Sequence, residues 1–432
     1  MRPIYIIIIF LSILSSCDTE SSFPIPEDNY FVKFYGNEGE QEGVDFILNT
    51  DGSVVMVGNS KTVNDQQLIY AVKVDAQGAV LWQHYYGTSL PGDKTAKDIE
   101  LHSDGRIMVV GEFVNGTNDS DIYLFSLNAD GVLQDSVTVG LVDNNGVKTD
   151  EHANSLTIIS DGFIVAGSTT LENFFISTVR NAMHLRFDNS LNEIPQTGTV
   201  TWGPRNYGEN YDDVAVKVLE LTPGANSFYV FGYSNQPYQQ YTGDFNYWYY
   251  SLSGDGVPSD GPFYAGKTSE DELLKAVEIS PVQSGPGYIL SGTATRTTGE
   301  TQSYLVKLAP STLSFTTTDI RIETNPTDMG NNVSGSISTK NLLSQEFMLL
   351  TNDNTVSNVD MNLALTKLTR NSLTKAWQVP LIFGGESDDF AGSVSELPDG
   401  RILVVGTMTV GGLSGQKKMV LMKLNAEGKL TK

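Results

Sequence analysis

The chain is expected to be all-β, a seven-bladed β-propeller, on three observations. One pattern recurs with a period of about 55–60 residues: a polar Asp-Gly turn, a β-branched run ending in Gly, a variable loop, a second apolar run and an aromatic strand closing in Tyr-Gly. Each full period holds four short antiparallel strands. The last period stops one strand short at the C-terminus, while a strand without a partner precedes the first.

The clearest copies of the turn and second strand are NTDGSVVMVG (49–58), HSDGRIMVVG (102–111) and LPDGRILVVG (397–406). Post-strand glycines fall at Gly58, Gly111, Gly167, Gly232, Gly292 and Gly406, with Thr351 standing in the sixth place. Beyond each variable loop comes a stretch such as YAVKVDAQGAVLWQHYYG (70–87), two strands around a polar hairpin turn containing Gly78. Val, Ile, Tyr and Thr dominate the runs and Gly, Asn, Asp and Ser separate them, as strands and turns require. Units four to six lack the Asp-Gly turn and are expected to turn at Pro223-Gly224, around Pro286-Gly287 and at Lys340-Asn341. The final copy, MVLMKLNAEGKL (419–430), has no outer strand, whereas NYFVKFYG (29–36) has no blade of its own. The N-terminal strand therefore completes the last blade, closing a ring over residues 29–432 and leaving only short, protected edges. A solenoid would need capping repeats instead.

Arg2 followed by an apolar run from Ile4 to Leu14 reads as a secretion signal over residues 1–16, too short to span a bilayer. Leu14-Ser15-Ser16-Cys17 resembles the lipobox of bacterial lipoproteins, which implies that Cys17 is acylated and becomes the mature N-terminus. Cys17 is the single cysteine of the chain, so no internal disulfide can form despite an oxidising export route. Two or three acyl chains would anchor the protein firmly, with residues 17–28, containing Pro24 and Pro26, as a tether. Asp18 and Glu20 resemble the export signals of surface lipoproteins of Bacteroidota, implying an outer-membrane, cell-surface location. Asp135-Ser136-Val137 resembles the O-glycosylation sequon of that phylum, with Ser136 as the acceptor; the bland alternative is a chance triplet. A net charge of −24 disfavours nucleic-acid binding.

DGRIMVVG and DGRILVVG, followed by IYLFSLNADGVL and MVLMKLNAEGKL, resemble the bacterial delta-sixty class of β-propeller repeats. The resemblance is specific in the first, second and seventh units, and implies a propeller with an extracytoplasmic interaction role and no catalytic residues.

In a propeller, the loop between second and third strands shares a face with the link between blades. That face carries the long, variable loops, at 59–68, 112–120, 168–181, 233–246, 293–302, 352–360 and 407–418. Function concentrates on loops set on rigid scaffolds, so this long-loop face is the expected binding surface. An acid recurs there at Glu40, Asp93, Asp150, Asp212, Glu270 and Asp388, with Asp328 near the sixth place. One reading is a negative ring that binds cations or basic segments of a partner. The other is that each carboxylate accepts backbone N–H groups where the chain enters a strand.

The fourth blade is rich in aromatic residues. Residues 247–250 fall within its third strand and are expected to pack between blades, whereas Tyr233, Tyr238, Tyr241 and Phe245 are loop residues suited to a sugar face or a protein hot spot. His84, His102, His152 and His184 are scattered over the repeats, so no metal site and no cofactor is expected. Nothing singles out a carboxylate pair for glycoside hydrolysis, and no enzyme is expected. Two functional classes remain: a scaffold docking on an outer-membrane or surface protein, and a glycan-binding module using the aromatic loop.

Overall fold

The computed structural model describes residues 30–431, apart from 62–64, 116–118, 173–174, 195–201, 205–210, 222–223, 225, 238–243, 267–268, 283–284, 298, 300, 310–313, 316–319, 323–332, 339–345, 355–359, 370–371, 386 and 412–414. The leader, Cys17 and the tether lie outside the described residues. Strand β1 (Phe31–Tyr35) opens the chain. Blade one is β2 (Glu40–Leu48), β3 (Val54–Lys61), β4 (Gln67–Val74) and β5 (Val80–Tyr86). Blade two is β6 (Lys94–Leu101), β7 (Ile107–Val114), β8 (Ser120–Leu127) and β9 (Leu133–Val139). Blade three is β10 (Glu151–Ile159), β11 (Gly162–Glu172), β12 (Phe175–Asp188) and β13 (Gly203–Pro204). Blade four is β14 (Asp213–Glu220), β15 (Ser227–Ser234), β16 (Asn246–Ser253) and β17 (Pro258–Ala265). Blade five is β18 (Glu270–Val282), β19 (Gly285–Arg296) and β20 (Thr301–Ala309), flanked by β21 (Ser314–Phe315) and β22 (Ile320–Ile322). Blade six is β23 (Val333–Ser338), β24 (Glu346–Asp353), β25 (Asn362–Thr369) and β26 (Leu381–Phe383). Blade seven is β27 (Phe390–Glu396), β28 (Ile402–Val410) and β29 (Gln416–Leu424), with β1 as its outermost strand.

The ring therefore closes as the orphan strand predicted. β1 runs antiparallel to β29 from Phe31↔Lys423 to Tyr35↔Met419, and β2 contacts both β27 and β6. Each junction between blades holds its own hydrophobic cluster. At the closing seam Phe31, Tyr35, Leu403 and Leu421 pack against Phe46, Met56 and Tyr70. Within β3, Val55 and Val57 face blade two while Val54 and Met56 face blade seven. A strand buried on both faces has no polar side to show, which is why these runs read as continuously apolar. β16 is the extreme case: Tyr247 and Tyr249 pack toward blade five, Trp248 and Tyr250 toward blade three.

All seven inner strands carry a β-bulge at one place, between Gly43 and Asp45 in blade one and between Ala96 and Asp98 in blade two, for example. The bulge presses the inner strand on its neighbour and explains the recurrent glycine. A Cβ on Gly58, Gly167 or Gly232 would overlap the carbonyl oxygen of Glu42, His152 or Val214. Thr351 takes the place in blade six, paired with Ser334 and Ala364.

Two details differ from expectation. Residues 168–181 are not a loop: β11 and β12 pair as far out as Glu172↔Phe175, so a hairpin rises from the long-loop face. The turn at Pro286-Gly287 is displaced, since β18 and β19 stay paired through Pro281↔Pro286 to Val282↔Gly285. In blade five the backbone ladder runs past Pro281 and Pro286, where turn residues suggested a stop.

Candidate functional site

The recurrent acids tie one blade to the next. Asp93 Oδ1 accepts the backbone N–H of Gln67 (2.9 Å), Asp150 that of Ser120 (3.1 Å), Asp212 that of Arg180 (2.7 Å) and Asp388 that of Met361 (2.9 Å). Each donor belongs to the preceding blade: Gln67 and Ser120 begin its third strand, Met361 immediately precedes it, and Arg180 lies within the longer β12. The carbonyls of Asp93, Asp150 and Asp212 meanwhile accept N–H bonds from Val114, Thr170 and Asn235 of their own blades. In blade five the tie is made by Asp271, which accepts the N–H of Phe245 (3.0 Å), one residue beyond the expected Glu270. Glu270 pairs with Arg296 at the start of β18. β18 and β19 stay paired as far as Val282↔Gly285, so a count back from the expected turn at Pro286-Gly287 misses the connector by one residue. At the closing junction the place is taken by an ion pair, Lys417 to Glu42 at 3.5 Å, while Glu40 pairs in register with Lys61. Asp328 lies outside the described residues. This geometry accounts for the acids as blade-to-blade connectors, and among the described residues no three His, Cys, Asp or Glu side chains converge to hold a metal.

Two further sets of ties have no uniform residue type. The residue after Gly58, Gly111 and Gly406 accepts the N–H at the next blade's bulge: Asn59 from Ala96 (2.8 Å), Glu112 from Ala153 (2.8 Å) and Thr407 from Gly43 (3.0 Å). On the opposite face, Lys73, Arg186, Lys367 and Lys423 each donate to a hairpin carbonyl of the following blade, at Ala129, Gly254, Ala426 and Ala76. Beside the connector acids lies a second, fully buried polar position, held by Gln41, Lys94, Glu151, Asp213, Glu272 and Asp389. Glu151 accepts bonds from Thr149, Thr169 and the Leu141 N–H, and burial nevertheless raises its carboxyl above the ordinary range. Burial raises Asp389 likewise.

The aromatic candidates divide. Tyr233 is half-buried against the core between blades four and five, meets Phe245 edge-on at 5.7 Å, and carries the Arg180 guanidinium over its ring at 6.0 Å. Arg180 also pairs with Asp212 at 3.3 Å. Tyr238 and Tyr241 lie outside the described residues. The result is a mixed cation, carboxylate and aromatic patch at the rim of blades three and four. Ser136 is exposed on β9, with its N–H bonded to Asp135 Oδ1 at 2.8 Å. The histidines are dispersed: His84 stacks on Trp82, His102 and His152 pair with Asp104 and Glu112, and His184 is buried beside Trp202.

The opposite face is made of tight turns such as 102–106, where Gly105 takes a left-handed φ of 89° and Asp104 accepts the Arg106 N–H. At the closing seam on that face a cleft of about 390 Å³ opens between Phe31, Leu403 and Arg401.

Fold and connectors together define a closed seven-bladed β-propeller with one face of tight turns and one of variable loops. Residues 102–133 and 397–430 match the model of a β-propeller domain of unknown function, DUF5122. No curated protein matches the chain. Among solved structures, extracellular domains 1–2 of Drosophila Semaphorin 1a are similar at 9% identity and a TM-score of 0.51, covering 90% of this chain and 87% of that one. A Dyadobacter fermentans protein of unknown function is similar at 11% identity and a TM-score of 0.49, covering 91% and 98%. At such identities the likeness is one of fold alone.

Proposed function

We propose that the protein is a non-catalytic outer-membrane lipoprotein, anchored through Cys17, whose long-loop face docks on a protein partner of the cell envelope. One observation carries this reading. β1 starts beside Lys423 on the tight-turn face and ends beside Met419 on the long-loop face, so the chain joins the ring from the tight-turn side. A lipid at Cys17 and a tether of about a dozen residues, at most ~40 Å long, would then hold the tight-turn face toward the membrane and turn the variable loops outward. A ring held rigid by its connectors is a suitable platform for loops that read a partner.

The second reading, glycan binding at blade four, is favoured by the Arg180, Tyr233 and Phe245 patch, whose planar rings and guanidinium suit a sugar face and an acidic substituent. Co-purification from membranes separates the two, giving a stoichiometric protein in the first and none in the second, where an array of glycans retains the protein instead. In either, truncating Tyr238 and Tyr241 to Ala should weaken binding by at least about 1 kcal/mol with little change in melting temperature. Asp388→Ala should do the reverse, because it removes the acceptor of the Met361 N–H from a blade junction. Loss of binding in Asp388→Ala at full stability, with the tyrosine variants unaffected, would favour a charged mouth over both readings.

A further inference from the structure

Beneath the long-loop face, the buried polar position of one blade meets a side chain at the start of the third strand of the preceding blade. At the closing junction Lys418 donates to Gln41 Oε1 at 2.8 Å. Between blades four and five, Asn246 Oδ1 and Glu272 Oε2 converge on Gly266; between blades six and seven, Asn362 Oδ1 and Asp389 Oδ2 converge on Gly384. Gly140, directly after β9, is the equivalent glycine between blades two and three, and Asp121 Oδ1 lies against it. The acid here is Glu151, whose Oε2 accepts the Leu141 N–H (2.9 Å) as Asp389 Oδ2 accepts that of Gly385 (3.0 Å). Where Glu272 and Asp389 meet an amide, Glu151 thus meets a second carboxyl group.

This pair lies under a small hairpin of the long-loop face. Val142 bridges to Lys148, the Asp143 N–H bonds to the Val147 carbonyl (2.8 Å), and the Thr149 N–H returns to the Leu141 carbonyl (3.2 Å). Glu151 holds both ends of the hairpin, through the Leu141 N–H and the Thr149 hydroxyl (2.6 Å). Asp121 Oδ2 accepts a bond from Asn115 Nδ2 (3.0 Å) and lies 3.8 Å from Lys148 Nζ. Asp121 Oδ1, in contrast, is buried and accepts no hydrogen bond. A buried acceptor without a donor costs free energy, and a carboxyl group can supply the donor only when protonated. Burial, with the charge of Asp121 added, outweighs the bonds to Glu151 and holds its carboxyl above the ordinary range.

We propose that the 141–149 hairpin is a pH-sensitive element, held in place while Glu151 keeps its proton and donates it to Asp121 Oδ1, and loosened when that proton is lost. Its contribution is complete below the ordinary glutamate pKa and is lost as pH rises through the higher value of the folded ring. Two buried carboxylates then face each other with only the half-exposed Lys148 beside them. The flanking charges are engaged elsewhere: Asp150 accepts the Ser120 N–H (3.1 Å), and His152 pairs with Glu112 at 3.6 Å. The hairpin exposes Val142 and Val147, so its order sets the surface that a partner meets. The inference does not depend on lipid anchorage or on the identity of a partner.

Amide hydrogen exchange over residues 141–149, expressed as protection relative to the unstructured chain at about pH 5 and about pH 8, tests this in the wild type and in Asp121→Asn. An asparagine amide can donate to ionised Glu151, so that the junction no longer needs a proton. Between the two pH values, wild-type protection should fall at least about tenfold further than that of Asp121→Asn, the equivalent of one pKa unit. Glu151→Gln, which cannot ionise, should also lack the extra fall and serves if Asp121→Asn folds poorly. His152, Glu112 and Asp150 are retained in all three proteins, so their titration cancels in the comparison. The proposal is overturned if wild-type protection is the same at both pH values, or if it falls as far in the variants as in the wild type.

Discussion

Removal of residues 29–36 will open or unfold the propeller, whereas removal of residues 18–27 will leave its stability almost unchanged. The first deletion strips β1 from β29 and exposes a ladder of unpaired backbone groups on the last blade. It also takes Phe31 and Tyr35 out of the seam, together with the bonds from Tyr35 Oη to the Gly78 carbonyl and from Lys33 to the Gln77 carbonyl. Losing one large buried aromatic side chain costs about 3–5 kcal/mol, and two such losses rival the whole stability of an ordinary domain. Chemical denaturation of the two deletion variants measures the difference. Equal midpoints would mean that the ring does not rely on its N-terminal strand.

The second large effect is expected at the bulge glycines. In Gly167→Ala the new methyl group meets the His152 carbonyl and the Ala153 Cα, both backbone atoms of the adjacent strand. No flexible side chain can yield there, so the inner strand itself must shift, at a cost of about 3 kcal/mol. Gly385→Ala is the control, since a methyl group there meets nothing within 4 Å and the backbone is not left-handed. Its midpoint should stay within about 0.5 kcal/mol of wild type. A stable Gly167→Ala variant would show that the bulge can relax and that the glycines recur for another reason.

How much of this was legible in the sequence depended on whether one residue type did one job. Strands such as β3 and β7 were plain because burial on both faces demands an unbroken apolar run, and Gly58 and Gly111 within them were plain because a side chain there would meet a carbonyl of the inner strand. The closing strand followed from counting, since MVLMKLNAEGKL and NYFVKFYG each lacked what the other supplied. The connector acids were visible as a pattern, but the longer hairpin of blade five put the fifth at Asp271 rather than Glu270. The second set of ties was invisible because Asn59, Glu112 and Thr407 share only a side-chain oxygen, which a repeat written in residue names does not register.

The division of the two faces also bears on the charge of the molecule. Lys73, Arg186, Lys367 and Lys423 on the tight-turn face are engaged in bonds to the next blade, so that face helps to hold the ring. The variable loops carry no such recurrent duty beyond their acid connectors and are free to diverge in sequence. A scaffold with one face fixed by packing and one face open to variation is what recognition by loops requires.

Cross-linking of intact membranes with a lysine-reactive reagent, read by mass spectrometry, tests most directly whether the long-loop face is the recognition surface. Lys61, Lys148 and Lys417 mark that face, and Lys73 and Lys429 the opposite one. The account predicts partner cross-links at Lys61, Lys148 or Lys417 that disappear when the loop tyrosines are truncated. Partner cross-links confined to Lys73 and Lys429 would contradict it.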